Sequence, residues 1–282
     1  MTNIKWLQVE ASTKCNAWCS ACARNKNGYE LINNFVAEDL DSAVFEHHLM
    51  NFKGLEVVDF CGTFGDAIAA HNIYTLVELA KKHADKIIVR TNGSLRSAEW
   101  WQQFAEILAD HDHEVWFCLD GLADTHNIYR QGTDFDKIIT NARAFMSAGG
   151  CAVWQFIPWA HNEHQIKDCI RLSQRLGFSR FEFVKDVRTP LVSKHYQTGA
   201  VVDIQPWSEN SKLSKYIKSR TTVDVQDCRH LTQPSVYLNA NGKLSVCCFM
   251  NVSLCVDSMD HLPNIKEELA APRRVCLQYC GK

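Results

Sequence analysis

Six short runs rich in β-branched and aromatic residues recur along the first two thirds of the chain, and they constrain the fold more than any other feature. They are WLQVEA (6–11), LEVVDF (55–60), KIIVRT (86–91), EVWFCL (114–119), AVWQFI (152–157) and FEFV (181–184). Stretches with helical periodicity separate most of them. In NIYTLVELAKKHA (72–84), Ile73, Leu76, Val77 and Ala80 recur at i, i+3, i+4 and i+7. SAEWWQQFAEILAD (97–110) offers Ser97 as an N-cap. DFDKIITNARAFMSAGG (134–150) offers Asp134 as a cap and Gly149–Gly150 as a stop, and NEHQIKDCIRLSQRLGF (162–178) begins at Asn162 and stops at Gly177. Strand starts lie mostly about 30 residues apart, the size of one β-α unit. Strands of nearly continuous apolar character imply parallel pairing, covered on both faces or closed toward a barrel. Six such units, ending near Asp186, are too few for an eight-stranded barrel. The expectation is an α/β fold, a partial (β/α)6 barrel of parallel strands over residues 1–186, with its ligands at the carboxyl ends of the strands.

After Asp186 the pattern changes. Residues 187–222 are polar with no clear repeat and read as irregular linker. SVYLNANGKLSVCCFM (235–250) alternates around Asn241–Gly242, a strong hairpin signal. A short helix, NIKEELAA (264–271), follows, and Pro272 stops it. Residues 187–282 are therefore expected to form a small cysteine-bearing second domain of hairpin and helix.

Composition narrows the function classes. A net charge of −2 gives no reason to expect nucleic acid or an anionic membrane as a partner. No apolar run approaches the roughly 18 residues that span a bilayer. The start MTNIKWLQVEAS lacks the basic and long apolar segments of a secretory signal, so a cytoplasmic location is expected. In a reducing compartment, 13 cysteines suggest metal ligation more than disulfides. Four of them, Cys61, Cys118, Cys151 and Cys169, sit singly in apolar surroundings and read as small buried hydrophobes.

The other cysteines cluster at the two ends. TKCNAWCSAC places Cys15, Cys19 and Cys22 in a C-x3-C-x2-C spacing just past the first strand. Three thiolates suit a four-iron cluster that leaves one iron without a protein ligand, and an open metal position marks a catalytic site. A zinc site completed by a distant cysteine, or three unrelated thiols, are the alternatives. Further motifs fall at successive strand ends: FCGTFGD (60–66), RTNGS (90–94), LDGLADTHNIYR (119–130) and WQFI (154–157).

Together these resemble the radical S-adenosylmethionine (SAM) superfamily. The resemblance implies that Cys15, Cys19 and Cys22 hold a [4Fe-4S] cluster whose open iron chelates the SAM amine and carboxylate. Electron transfer then cleaves SAM to a 5′-deoxyadenosyl radical. It implies that the backbone of Gly62, Thr63, Phe64, Gly65 and Asp66 receives the SAM amino group, and that Thr91 and Asn92 contact the methionine end. Asp120 would face the ribose, Arg130 the SAM carboxylate, and Gln155 and Ile157 would flank adenine. Two positions depart from the family pattern. Ala21 stands where an aromatic before the third cysteine is usual, with Trp18 as a candidate substitute. Gly65-Asp66-Ala67 stands for the usual Gly-Glu-Pro, one methylene shorter and without proline.

Cys228 is followed by thirteen residues, Gly242, four residues and Cys247. This resembles the opening of the SPASM/twitch extensions of some radical SAM enzymes. With Cys276 and Cys280 it implies four ligands for one auxiliary [4Fe-4S] cluster, the shorter twitch form; zinc is the alternative. Cys248 and Cys255 are then spare thiols or hydrogen-atom donors to a substrate radical. His161, His164, Lys185 and Asp186, after strands five and six, are candidates to bind substrate or move a proton, or a polar helix start. Trp100–Trp101 read as core, and His47–His48 as helix flank rather than ligands.

The function expected is hydrogen abstraction from a C–H bond of a small molecule, sugar, cyclitol or nucleotide-like, giving oxidation or epimerisation. A flavodoxin- or ferredoxin-type protein would supply electrons. A strand starting by residue 6 leaves no room for an N-terminal peptide-recognition domain, which tilts the expectation away from a ribosomally made peptide, the first alternative. A non-enzymatic zinc-binding module is the alternative of another class.

Overall fold

The computed structural model describes residues 2–26, 28–109, 112–184, 191–208, 235–247 and 257. All six predicted strands form: β1 (Trp6–Val9), β2 (Val57–Phe60), β3 (Lys86–Thr91), β4 (Glu114–Cys118), β5 (Ala152–Phe156) and β6 (Arg180–Phe183). Two more, β7 (Ser235–Leu238) and β8 (Leu244–Ser245), make the predicted hairpin. The chain divides into two compact units. Met1–Lys14, Val36–Arg90 and Thr222–Lys282 form the first, and Cys15–Phe35 with Thr91–Thr221 the second.

In the first unit β3, β2, β1 and β7 lie side by side in that order, all parallel, and β8 turns back antiparallel on β7. The register aligns Ile87, Val58, Leu7 and Val236 in one row across the sheet, all fully buried. Each such side chain contributes about 1.5–3 kcal/mol relative to leaving it in water. Helix α1 (Ser42–Asn51) starts where Asp41 accepts from the N–H groups of Ala43 and Val44, at 2.8 and 3.1 Å. It packs beside α2 (Ile73–Lys81), whose Ile73, Leu76, Val77 and Ala80 are buried as the periodicity requires. The hairpin turns at Gly242, with φ +79°. Its first strand does not pair within a separate small sheet but joins β1 in parallel, with Tyr237 opposite Gln8.

In the second unit β6, β5 and β4 run parallel in that order. Ser97 caps α3 (Ala98–Leu108) and Asp134 caps α4 (Phe135–Ser147), as expected, accepting from Trp100 N–H at 3.3 Å and Lys137 N–H at 3.0 Å. Trp101, Phe104 and Phe145 pack between these helices, against Phe117 of β4. Trp101 is core; Trp100 is half-buried and stacks on Phe104. Helix α5 (Ile166–Leu176) ends at Gly177 but does not begin at Asn162. The Asn162 side chain is engaged elsewhere: Nδ2 donates to the carbonyls of Asp120 and Ile157, and Oδ1 accepts from Trp159 N–H. A 3-10 turn, Glu163–Gln165, fills the interval.

These largely parallel strands with their intervening helices are of the α/β class expected from the sequence. Among the described residues no helix is long and apolar enough to cross a membrane.

Candidate functional site

The second unit opens with the cysteine loop. None of its thiols is in a disulfide, and all three are half-exposed. Arg24, buried at 3% exposure, ties the loop from within: Nη1 donates to the Cys15 carbonyl at 3.0 Å and Nη2 to that of Ala17. The segment after the one-turn helix His126–Tyr129 binds it from outside. Trp18 N–H donates to the Gln131 carbonyl at 2.7 Å, Ser20 N–H to that of Tyr129 at 3.1 Å, and Gln131 Nε2 to Ser20 Oγ at 3.1 Å.

The N–H groups that point at the Cys15 sulfur include the Ala17 backbone at 3.3 Å and Asn92 Nδ2 at 3.5 Å. Asn92 also donates to Asn16 Oδ1 and accepts from the Ser94 N–H and hydroxyl, while Asn16 Nδ2 donates to Ser94 Oγ. This closed network fixes the orientation of the Cys15 side chain. Thr91 is turned inward, its Oγ1 accepting from Gly93 N–H at 2.9 Å.

Burial pushes the Cys19 thiol up to about 11; the Arg130 charge opposes this, Cys22 and Asp120 add to it, and Arg24 opposes it again. A bare Cys19 therefore keeps its proton near neutral pH, and metal ligation would displace that proton. Arg130 and Asp120 form a buried ion pair, Nε to Oδ2 at 2.6 Å. The other Asp120 oxygen accepts from Ile157 N–H at 2.7 Å, and Asp120 N–H donates to His126 Nδ1 at 3.1 Å. Both Asp120 oxygens are thus engaged by this chain, which brings the ends of β4 and β5 and Arg130 into one cluster.

Ile157 packs with Tyr129, Trp159 and Ile204, and Cys19 and Ala21 lie against that group. The Tyr129 and Trp159 rings are 4.9 Å apart, so aromatic surface stands beside Ala21 although the residue itself has none. Trp18 does not supply it: its ring is stacked on Tyr196 at 5.9 Å with Arg24 over it at 5.4 Å. Gln155 is buried opposite Cys118. His161 is half-buried, and among the described residues neither ring nitrogen has a partner. His164 is exposed.

The glycine-rich loop belongs to the first unit. Both glycines are required by close approach. A Cβ on Gly62 would fall 1.9 Å from the Gly65 carbonyl oxygen, and one on Gly65 would fall 2.0 Å from that of Ser12. Glu10 holds the loop from behind, accepting from the N–H groups of Thr63, Phe64 and Gly65. Asp66 caps the 3-10 turn Ala67–Ala69 through Ile68 N–H, and its own N–H donates to the Lys14 carbonyl at 2.9 Å. Its shorter side chain is thus used as a local cap.

Of the C-terminal cysteines only Cys247 lies among the described residues, half-exposed two residues beyond β8. Cys228, Cys248, Cys255, Cys276 and Cys280, like Lys185 and Asp186, lie outside them. Cys118 and Cys169 are buried as expected, whereas Cys61 and Cys151 are half-exposed. His48 is no ligand but a docking group, its Nε2 at 2.9 Å from the Gly242 carbonyl.

Sequence reasoning missed Arg24, Asn16, Ser94 and Glu10. Asn16 lies inside TKCNAWCSAC, Ser94 inside RTNGS and Glu10 inside the first strand run, yet none was given a role; Arg24 falls two residues past Cys22.

An all-sulfur donor set on one loop, with N–H groups aimed at sulfur and two arginines nearby, fits an iron–sulfur cluster. Among the described residues no three His, Cys, Asp or Glu side chains gather closely enough to hold a single metal ion. The cysteines of a four-iron cluster bind separate irons and need no such convergence.

No family model matches the chain, and neither does any curated protein. Solved structures do. Streptococcus suis SuiB bound to precursor peptide SuiA matches with a TM-score of 0.65 at 16% identity, covering 97% of this chain and 69% of that one. SuiB bound to S-adenosylmethionine gives 0.62 at 16% identity, over 88% of this chain and 61% of that one. Native anSMEcpe with bound AdoMet gives 0.59 at 15% identity, over 90% and 76%. These neighbours are radical SAM enzymes, and at 15–16% identity the likeness is one of fold: this chain shares their α/β fold. It spans 61% of the length of the SAM-bound SuiB chain.

Proposed function

We propose that the chain is a radical SAM enzyme. The observation that carries this reading is the Cys15–Cys22 loop, clamped by Arg24 and with Asn92 directed at its first sulfur, in a chain of radical SAM fold. Cys15, Cys19 and Cys22 would hold three irons of a [4Fe-4S] cluster. When bound, that cluster supplies the electron that reductively cleaves SAM to the 5′-deoxyadenosyl radical.

The chain's own residues bind and orient. Arg130 uses Nε on Asp120, which leaves its Nη groups to receive the SAM carboxylate. Asp120 holds Arg130 and the Ile157 N–H, and from that fixed position would face the ribose. Ile157, Tyr129 and Trp159 form an apolar wall that keeps water from the Cys19 side of the loop. Thr91 and Asn92 set the shape of the β3 exit, Gln155 lines the β5 end, and Gly62–Asp66 receive the amino group.

The finer reading keeps a C–H bond of a small molecule (sugar, cyclitol or nucleotide-like) as substrate. Cys228, Cys247, Cys276 and Cys280 would hold one auxiliary cluster, Cys255 or Cys248 would serve as hydrogen donor for an epimerisation, and a cytoplasmic flavodoxin or ferredoxin would supply electrons. A peptide substrate is the second reading, favoured by the likeness of fold to SuiB bound to its precursor peptide.

Anaerobically purified protein is expected to be brown and to carry about eight irons. The combined Cys15→Ala, Cys19→Ala, Cys22→Ala variant is expected to lose 5′-deoxyadenosine formation and about four irons while keeping the rest. Colourless wild-type protein with stoichiometric zinc, or SAM cleavage by the triple variant, would overturn the proposal.

A further inference from the structure

Glu10 is 1% exposed, and no cationic side chain pairs with it among the described residues. Instead three consecutive backbone N–H groups converge on its carboxylate. Thr63 donates to Oε2 at 2.9 Å, Phe64 to both oxygens at 3.2 and 3.3 Å, and Gly65 to Oε1 at 3.0 Å. The Tyr237 hydroxyl of β7 donates to Oε2. Successive N–H groups turned to one point make an anion-binding nest, and here the anion is part of the protein.

The geometry has a consequence on the other side of the loop. A trans peptide is planar, so each carbonyl points opposite to the N–H of the next residue. Turning the N–H groups of residues 63–65 onto Glu10 turns the carbonyls of Gly62, Thr63 and Phe64 away from it. Among the described residues no donor reaches those three oxygens. Gly62 is exposed and residues 63–65 are half-exposed, while Glu10 lies behind them. The loop therefore presents carbonyl oxygens outward, with a buried carboxylate at its back.

We infer that Glu10, assisted by Tyr237, is a positioning residue that turns the 62–65 loop into a receptor for an ammonium group. The inference rests on the radical SAM reading, in which this loop takes the SAM amino group. The residue type is required because only a carboxylate accepts at both oxygens. Glutamine in the same place accepts at one and sets its NH2 against an N–H of Thr63 or Gly65, which twists the loop.

The test measures anaerobic equilibrium binding of two ligands to the cluster-loaded protein: SAM, and the SAM analogue lacking the α-amino group. The visible absorbance of the cluster confirms equal loading. Glu10→Gln is expected to weaken SAM about tenfold or more, and Tyr237→Phe about threefold, with binding of the analogue unchanged in both. Equal weakening of both ligands, or no weakening of SAM, would show Glu10 to be a structural prop and overturn the inference alone. Wild-type protein that binds neither ligand would overturn the radical SAM reading and the inference with it. Should Glu10→Gln fail to fold, Tyr237→Phe, which removes one hydroxyl, carries the same comparison.

Discussion

Arg24 moves no proton in the proposed chemistry, yet its two hydrogen bonds to the Cys15 and Ala17 carbonyls set the curvature of the loop. Arg24→Met keeps much of the volume and leaves two loop carbonyls without a charged donor. Chemical denaturation is expected to show a loss of about 2–3 kcal/mol. Iron retained by the anaerobically loaded protein is expected to fall with it. Unchanged stability would show that the clamp carries no weight. The three-cysteine loop was legible in the sequence because its thiols lie on one contiguous stretch with a distinctive spacing. Arg24 and Glu10 were not, because their partners are backbone groups that carry no residue identity. Asp120 and Arg130 were found as a motif, but their pairing was not, since a buried ion pair across ten residues depends on the turn between them. Trp18 was judged by sequence proximity, and the structure gives its ring to Tyr196 and Arg24 instead.

At the level of elements, the six β-rich runs and the helices of the described residues followed their periods, because burial on one or both faces writes the pattern into the residues. The stretch read as linker instead holds an antiparallel pair, Leu191–Lys194 with Val201–Ile204, and the helix expected at 264–271 lies outside the described residues. The hairpin at Asn241–Gly242 was equally plain, while the partner of its first strand was not. Alternation specifies a hairpin but does not name a neighbour 229 residues away. The hairpin is docked by α1: Val44 Cγ1 lies 2.7 Å from where a Gly242 Cβ would sit, and His48 bonds the Gly242 carbonyl. Gly242 also has a left-handed φ of +79°. Gly242→Ala is thus expected to lower the unfolding free energy by about 1–2 kcal/mol from the backbone alone, and by more from the contact. Adding Val44→Ala should relieve the second part only. A double variant as stable as wild type would refute the backbone argument.

For the molecule as a whole, acid sensitivity follows from two histidines, His126 buried and His161 half-buried. Burial, aided by the Arg130 charge, lowers His126 from 6.5 to about 3, and burial beside His164 lowers His161 to about 4. Unfolded chains take up these protons first as the pH drops, so folding is unopposed above about pH 6.5 and weakens below it. For His126 the slope approaches about 1.4 kcal/mol per pH unit until the folded value is reached. Denaturation midpoints at pH 7.5, 6 and 5 should fall in step, and less steeply in His161→Leu; a flat profile would contradict the assignment. A different consequence comes from the place of β7. β1 is made well before β7 on the ribosome, and its β7-side edge lacks that partner until residue 238 has been made. At about 5–20 residues per second, that edge stays open for on the order of ten to fifty seconds. A nascent chain stalled before residue 235 would thus present an unpaired, apolar strand edge to chaperones or to other copies of itself.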